Sequence, residues 1–288
     1  LNIKHSELSN ETAKVIIDPR KHKIKLLPEN CDVAFEPLFQ SGSDFDIKLG
    51  KPSDDRTLKE GCIAMMLGTR YDSYCATVGR CFFVDAPPNV KDEYNALLAA
   101  EKAGLRAMTA GAQLKSVREA VVNSLHQRKM GHLADKLSKS VGFLMGTELR
   151  DSFYNLNDKN KRIIRPRMVF HISLLVNGLE WHNEETDKRQ PYALFLMDTV
   201  AVSETGKEVE ELTTMCKKEW SDVSYFNEKE VNEEGESSPQ PNPVILEHRL
   251  RRKDGKSEDE HLRENRRKAV QSELEEVKNK ETMERLTG

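Results

Sequence analysis

The chain has 288 residues, 37% of them hydrophobic, which gives enough apolar mass for one large domain or a domain with an appendage and excludes a small stapled scaffold. Its 45 Lys+Arg and 48 Asp+Glu nearly cancel to a net charge of -3, so tight binding of nucleic acid through the whole surface is excluded. The five cysteines (Cys31, Cys62, Cys75, Cys81 and Cys216) are odd in number and form no CxxC pair, which predicts free thiols in a reducing compartment. No apolar run approaches the ~20 residues of a membrane span, and Leu1-Asn2-Ile3-Lys4 carries no signal-peptide pattern. A soluble, intracellular chain is expected, and the lack of an initiating Met predicts a segment of a longer protein.

Residues 6–16 are helix-compatible, and Asp18-Pro19-Arg20-Lys21 breaks that pattern. Residues 31–39, the turn Ser41-Gly42-Ser43 and then Phe45-Asp46-Ile47 read as strand, turn and strand. Two further strands are predicted over residues 62–68 and 74–84, the second rich in aromatic and β-branched side chains. From residue 91 to 108, Tyr94, Leu97, Leu98, Leu105 and Met108 recur at helical spacing, and Val117, Val121 and Val122 repeat the pattern over residues 114–125. Strand patterns return at residues 168–176, 192–202 and 223–226, with Glu204-Thr205-Gly206 as a hairpin turn. Strands, then two helices, then strands predict an α+β fold with a curved antiparallel sheet and helices on one face.

Residues 229–243 are acidic and rich in Pro and Ser, and they predict a flexible linker. Residues 244–288 predict a charged helix, opened by a capping-box pattern at Ser257 and Glu260, with one narrow apolar stripe. Domain limits of 1–228, 229–243 and 244–288 follow.

The segment Leu67-Gly68-Thr69-Arg70-Tyr71-Asp72-Ser73-Tyr74-Cys75-Ala76-Thr77-Val78-Gly79-Arg80-Cys81-Phe82 resembles the metal-binding strand pair of the pita-bread fold of creatinase and the aminopeptidases. Gly68, Tyr74, Arg80 and Phe82 match that pattern, while its two aspartate positions hold Met66 and Thr77. Gly142-Phe143-Leu144-Met145-Gly146-Thr147-Glu148-Leu149-Arg150-Asp151 resembles the family's histidine stretch, with Phe143 at the ligand histidine and Arg150 at the substrate-handling one. Pro166-Arg167-Met168 through Ser173 and Met197-Asp198-Thr199-Val200 resemble the two glutamate segments, with Ser173 and Met197 at the glutamate positions. The resemblance therefore implies five vestigial ligand positions, Met66, Thr77, Phe143, Ser173 and Met197, and no metal, no cofactor and no peptidase activity.

Among the inactive pita-bread proteins, Phe35-Glu36-Pro37, Arg70-Tyr71-Asp72-Ser73-Tyr74-Cys75, Glu148-Leu149-Arg150-Asp151-Ser152, Tyr192-Ala193-Leu194 and Asp198-Thr199-Val200 are similar to segments of the large-subunit family of FACT, a histone chaperone. Residues 249–286 resemble the stretch by which that subunit enters its next domain. The resemblance implies a non-catalytic histone- or peptide-binding module in the nucleus, with core histones, nucleosomes and a smaller FACT subunit as partners. It implies no membrane, and only weak or indirect contact with DNA.

Sharper and plainer readings stand side by side at several positions. Arg150 and Asp151 either hold a peptide terminus in the old cleft or form an internal ion pair. His171 and His182 read as structural or surface histidines rather than a relocated metal site. Trp220, Tyr225 and Phe226 among acids read as an edge strand before a histone-docking patch. Residues 159–167 (KNKRIIRPR), the densest basic run, read as a loop entering a strand before a phosphate contact, and Arg249, Arg251, Arg252 and Lys253 form a second basic cluster.

Overall fold

A computed structural model describes residues 2–42, 45–183 and 188–226. The sheet is laid down by alternation: β1 (Cys31–Ser41), β2 (Cys62–Tyr71) and β3 (Tyr74–Val84) form an antiparallel meander. After two long helices the chain adds β4 (Ser140–Met145), β5 (Asp151–Asn157), β6 (Val169–Asn183), β7 (Lys188–Val202), β8 (Val209–Glu211) and β9 (Ser224–Tyr225). The strand order is β1-β2-β3-β7-β6-β4-β5, with β8 on β7 and β9 on β3. All pairings are antiparallel except β9 with β3. Register shifts in β1 on β2, β4 on β5 and β6 on β7 bend the strands and produce the curvature.

The helices are α1 (His5–Ile17), α2 (Pro88–Ala107), α3 (Leu114–Gln127), α4 (Gly131–Lys136) and α5 (Trp220–Val223). Pro88 opens α2, where its missing N–H would be unpaired anyway. Val90, Tyr94, Leu97 and Leu98 line the buried side of α2, and Leu114, Val117, Val121 and Leu125 that of α3. Ile172, Leu174 and Val176 of β6 are fully buried in the same core, so up to the register shift after Val176 the even-numbered residues of this strand face the helices and the odd-numbered ones the concave side. Among the described residues no helix is long and apolar enough to cross a membrane.

The structure departs from the sequence reading in three places. Phe45 and Ile47 are buried but belong to no strand: the Gln40 side chain donates to the Asp46 carbonyl (3.1 Å) and accepts from its N–H (2.9 Å), replacing a ladder. At residues 223–226 Val223 closes α5, and only Ser224 and Tyr225 pair with β3. Trp220 stacks on Phe83 with ring centroids 5.4 Å apart, so its ring packs against the core, while Phe226 is 54% exposed. Third, α4, β4 and β5 lie in a stretch where periodicity pointed to no element. The linker at 229–243 and the helix at 244–288 lie outside the described residues.

The central seam of the sheet is polar. β3 and β7 pair over only two positions, Gly79 with Met197 and Arg80 with Leu196. Arg80, 1% exposed, closes the gap: its Nη2 donates to Asp198 Oδ1 (2.8 Å) and the Cys216 carbonyl (2.6 Å), and its Nη1 to the Gly79 and Met197 carbonyls (both 2.8 Å). Lys218 completes the cluster on Glu101 (2.7 Å), Asp198 (3.1 Å) and Glu211 (2.6 Å). Burial alone would raise the Asp198 carboxyl, but Arg80, Lys218 and Thr213 outweigh it and hold it below the usual carboxylate range. Among the described residues Glu101 Oε1 is buried without a hydrogen-bond partner, and burial, opposed by Lys218, pushes this carboxyl up to about 7.

Asp198→Ala strands a buried guanidinium and should lower unfolding free energy by about 3–5 kcal/mol, read from urea or guanidinium titration. Glu101 holds its proton to a higher pH folded than unfolded, so between pH ~4.5 and ~7 the folded state binds more protons and this group's contribution falls as pH rises. Glu101→Gln should remove that component, seen as a flatter stability profile over the same window than the parent chain shows.

Candidate functional site

The concave face holds a cleft of about 280 Å³, and the period of two along each strand decides what lines it. Met66 of β2, Phe143 of β4, His171 and Ser173 of β6, and Phe195 and Met197 of β7 all point into it, with Arg150 at the end before β5. The ladders carry these residues into register: Met66 stands opposite Gly79, Gly79 opposite Met197, Met197 opposite Ser173, and Phe143 opposite His171. Segments separated by up to 131 residues thus meet in one place, and Met66, Phe143, Ser173 and Met197 are among the residues they bring together. Gly79 is required here, because a Cβ would sit 2.3 Å from the Phe195 ring. Gly142, with φ +146, has the carbonyl oxygen of His171 where its Cβ would stand.

Thr77, the fifth position, is buried on the same face of β3 as Gly79 and is not among the residues that line the cleft. Its Oγ1 shares a 2.8 Å hydrogen bond with His171 Nδ1. Its backbone N–H donates to Thr199 Oγ1 (2.8 Å), which in turn donates to the Thr77 carbonyl (2.9 Å). Thr199 so replaces the ladder bonds that β3 and β7 do not make where they diverge. His171 is 3% exposed, and its ring stacks on Phe143 at 4.2 Å and 8°. Arg150 covers the other end of this stack, its Cζ 5.1 Å from the Phe143 centroid. Burial, with the nearby Arg150 charge, pulls the imidazole down to about 3. His171 is therefore a neutral, buried member of the stack, and His182 lies exposed further along β6.

This donor set does not fit a pair of hard divalent ions. Two thioethers, two hydroxyls, a phenyl ring and one hydrogen-bonded imidazole offer no carboxylate to bridge two cations. Asp198, next to Met197, points to the opposite side of β7 and is taken by Arg80 and Lys218. Among the described residues no group of three or more His, Cys, Asp or Glu is placed to hold a metal.

The internal Arg150–Asp151 ion pair is not formed. Arg150 Nη2 donates to Asn155 Oδ1 (3.0 Å), and Asp151 Oδ1 accepts from the Phe153 N–H (2.8 Å). Adjacent residues entering a strand diverge to opposite faces, which separates the two charges. Sequence reasoning missed Phe195 and Ile47 as lining residues. The signal for Phe195 was its place two residues before Met197 on one strand, whereas Ile47 reaches the cleft from an irregular segment with no periodic signature.

A curved antiparallel sheet carrying a central cleft on its concave side and helices on the other is the pita-bread fold. The chain belongs to metallopeptidase family M24, whose model matches residues 2–204. The curated relative FACT complex subunit SPT16 of Arabidopsis thaliana is 36% identical over 291 aligned residues, covering 100% of this chain and 27% of that protein. The chain thus spans about a quarter of the curated relatives it matches. Among solved structures it is similar to the N-terminal domain of FACT complex subunit SPT16 from Cicer arietinum (TM-score 0.72, 34% identity, 77% of this chain and 52% of that one). It shares its fold with a dipeptidase from Pyrococcus horikoshii (TM-score 0.59, 16% identity, 74% of this chain and 52% of that one).

Thr77→Val leaves the His171 Nδ1 without its partner and should lower stability by about 1–3 kcal/mol. The His171 ring should stay neutral in nitrogen-detected NMR from pH 7 down toward about 3, while an exposed histidine titrates near 6.5. Because its folded value is depressed, its contribution is full above about 6.5 and is lost as pH falls through the interval below.

Proposed function

We propose that this chain is the aminopeptidase-like part of a FACT-type histone chaperone and works by binding rather than turnover. In this reading residues 1–228 form the pseudo-peptidase domain, 229–243 a flexible linker and 244–288 the start of the next domain. The protein acts in the nucleus, on chromatin, where nucleosomes are loosened and rebuilt during transcription and replication. Its partners are core histones and nucleosomes, with the smaller FACT subunit reached mostly through regions beyond this chain, and its contact with DNA is weak or indirect.

The observation that carries the loss of catalysis is the Arg150–Phe143–His171 stack. It occupies the centre of the cleft with an apolar ring where the fold's enzymes need a ligand, and Met66, Ser173 and Met197 around it supply no carboxylate. Met66, Thr77, Phe143, Ser173 and Met197 are on this reading vestigial ligand positions. What remains is a concave, mostly apolar surface with a guanidinium at its rim, which suits a peptide side chain or terminus. Arg150 and Asp151 are the residues proposed to touch it.

Calorimetric titration of the chain with core histone pairs, histone tail peptides and unrelated peptides tests this. Histone binding in preference to unrelated peptides, weakened several-fold by Arg150→Ala, is expected. Equal binding to all peptides would make the domain a general pseudo-peptidase binder. Chelator-sensitive cleavage of an X-Pro peptide would overturn the non-catalytic reading.

A further inference from the structure

The basic loop between β5 and β6 and the outermost strand β5 together make a surface that the cleft does not use. Residues 159–167 contain Lys159, Lys161, Arg162, Arg165 and Arg167 and no acid. Asp158, just before them, is neutralised by Arg118 at 2.7 Å, and Arg167 by Glu204 at 2.7 Å. Lys159, Lys161, Arg162 and Arg165 are exposed and form no ion pair among the described residues.

The loop is held in place. The Leu114 N–H at the start of α3 donates to the Arg162 carbonyl (2.9 Å) and the Lys115 N–H to the Asn160 carbonyl (2.9 Å), and Ile164 is buried to 1% exposure. Its cations therefore stand on a fixed backbone, which reduces the ordering that binding would require.

The sequence run has no aromatic residue inside it, but folding supplies two. The Arg162 Cζ lies 5.6 Å from the Phe153 ring centroid and 5.7 Å from that of Tyr154. Phe153 nevertheless remains 68% exposed, among the most exposed large apolar side chains described. A solvent-facing ring beside a guanidinium and a row of unpaired cations is the arrangement that stacks a base and holds the phosphates on either side of it.

An acidic peptide added as an extra strand would meet the same cations, and β5 is the outermost strand of the sheet. The backbone of β5 is already engaged, however. Asn160 Nδ2 donates to the carbonyls of Phe153 and Asn155 (both 2.9 Å), and the Phe153 N–H is bonded to Asp151. With those groups capped, strand addition loses its hydrogen bonds, and what is left is recognition by ring and charge.

We infer that Phe153 and the 159–167 loop form a binding surface for single-stranded nucleic acid, in which Phe153 stacks a base and Lys159, Lys161 and Arg165 contact the backbone phosphates. The net charge of -3 excludes a surface-wide field but not a patch of this size. Duplex readout is disfavoured, because a paired base offers no free face to the ring.

The test is fluorescence anisotropy of the full 288-residue chain with labelled oligothymidylate and oligouridylate, against a duplex of equal length and poly-glutamate. Binding to the single strands should weaken about ten-fold or more in Lys159→Ala/Lys161→Ala/Arg165→Ala, with the salt slope reduced by roughly 2, or about 0.7 per lost contact. Phe153→Ala should weaken it about five-fold or more with the slope unchanged. Both substitutions are at the surface, and unchanged thermal melts would establish that the variants fold. The inference fails if single strands do not bind at low ionic strength, if duplex or poly-glutamate binds as tightly, or if Phe153→Ala has no effect. It fails equally if affinity is lost only on replacing Arg249, Arg251, Arg252 and Lys253 with Ala.

Discussion

One buried guanidinium joins the two halves of the sheet. The meander β1-β2-β3 and the group β7-β6-β4-β5 share only two residue pairs along their common edge, far fewer than β6 and β7 share with each other. Arg80 spans that edge with donors aimed at both strands and at the segment before α5. Desolvating such a cation is unfavourable unless every donor finds an acceptor, and here the carboxylate of Asp198 and several carbonyls provide them. The short pairing, the cleft and the course of the chain after β8 all depend on this contact.

The consequences divide by strand parity. Asp198 and Arg80 face the helices, where Glu101 and Lys218 extend the ionic cluster. Met197 and Gly79 face the cleft, whose lining holds the Arg150 guanidinium but no carboxylate. A strand in this fold can thus carry a buried carboxylate and still give the concave face nothing that would grip a cation. Thr77 and Thr199 stitch the seam from within, and Thr77 also bonds His171, which burial keeps a packed, neutral ring. The cleft keeps the shape of a peptidase site while the chemistry around it serves cohesion.

Much of the architecture was readable before folding. Periods of 2 and 3.6 located β2, β3, β6, β7, α2 and α3, because these elements each bury one continuous face. The same signal failed at α4, β4 and β5. Of the seven residues of β5 only Leu156 is buried, since the strand lies at the sheet's edge, and the adjacent Phe153 and Tyr154 break the alternation that would have marked it. It failed in the other sense at Phe45 and Ile47, where alternation reflected burial in an irregular segment whose backbone is satisfied by one glutamine side chain.

The sequence by itself determined the α+β class, the curved antiparallel sheet and the chemical character of the side chains that come to line the cleft, because side-chain chemistry and local periodicity are properties of short segments. Only the tertiary structure decided which of those residues share a cavity, that Arg150 covers Phe143 instead of pairing with Asp151, and that Phe153 lies beside Arg162. Such relations arise from strand register and sheet order, which bring together positions tens to more than a hundred residues apart, and no local pattern along the chain encodes them.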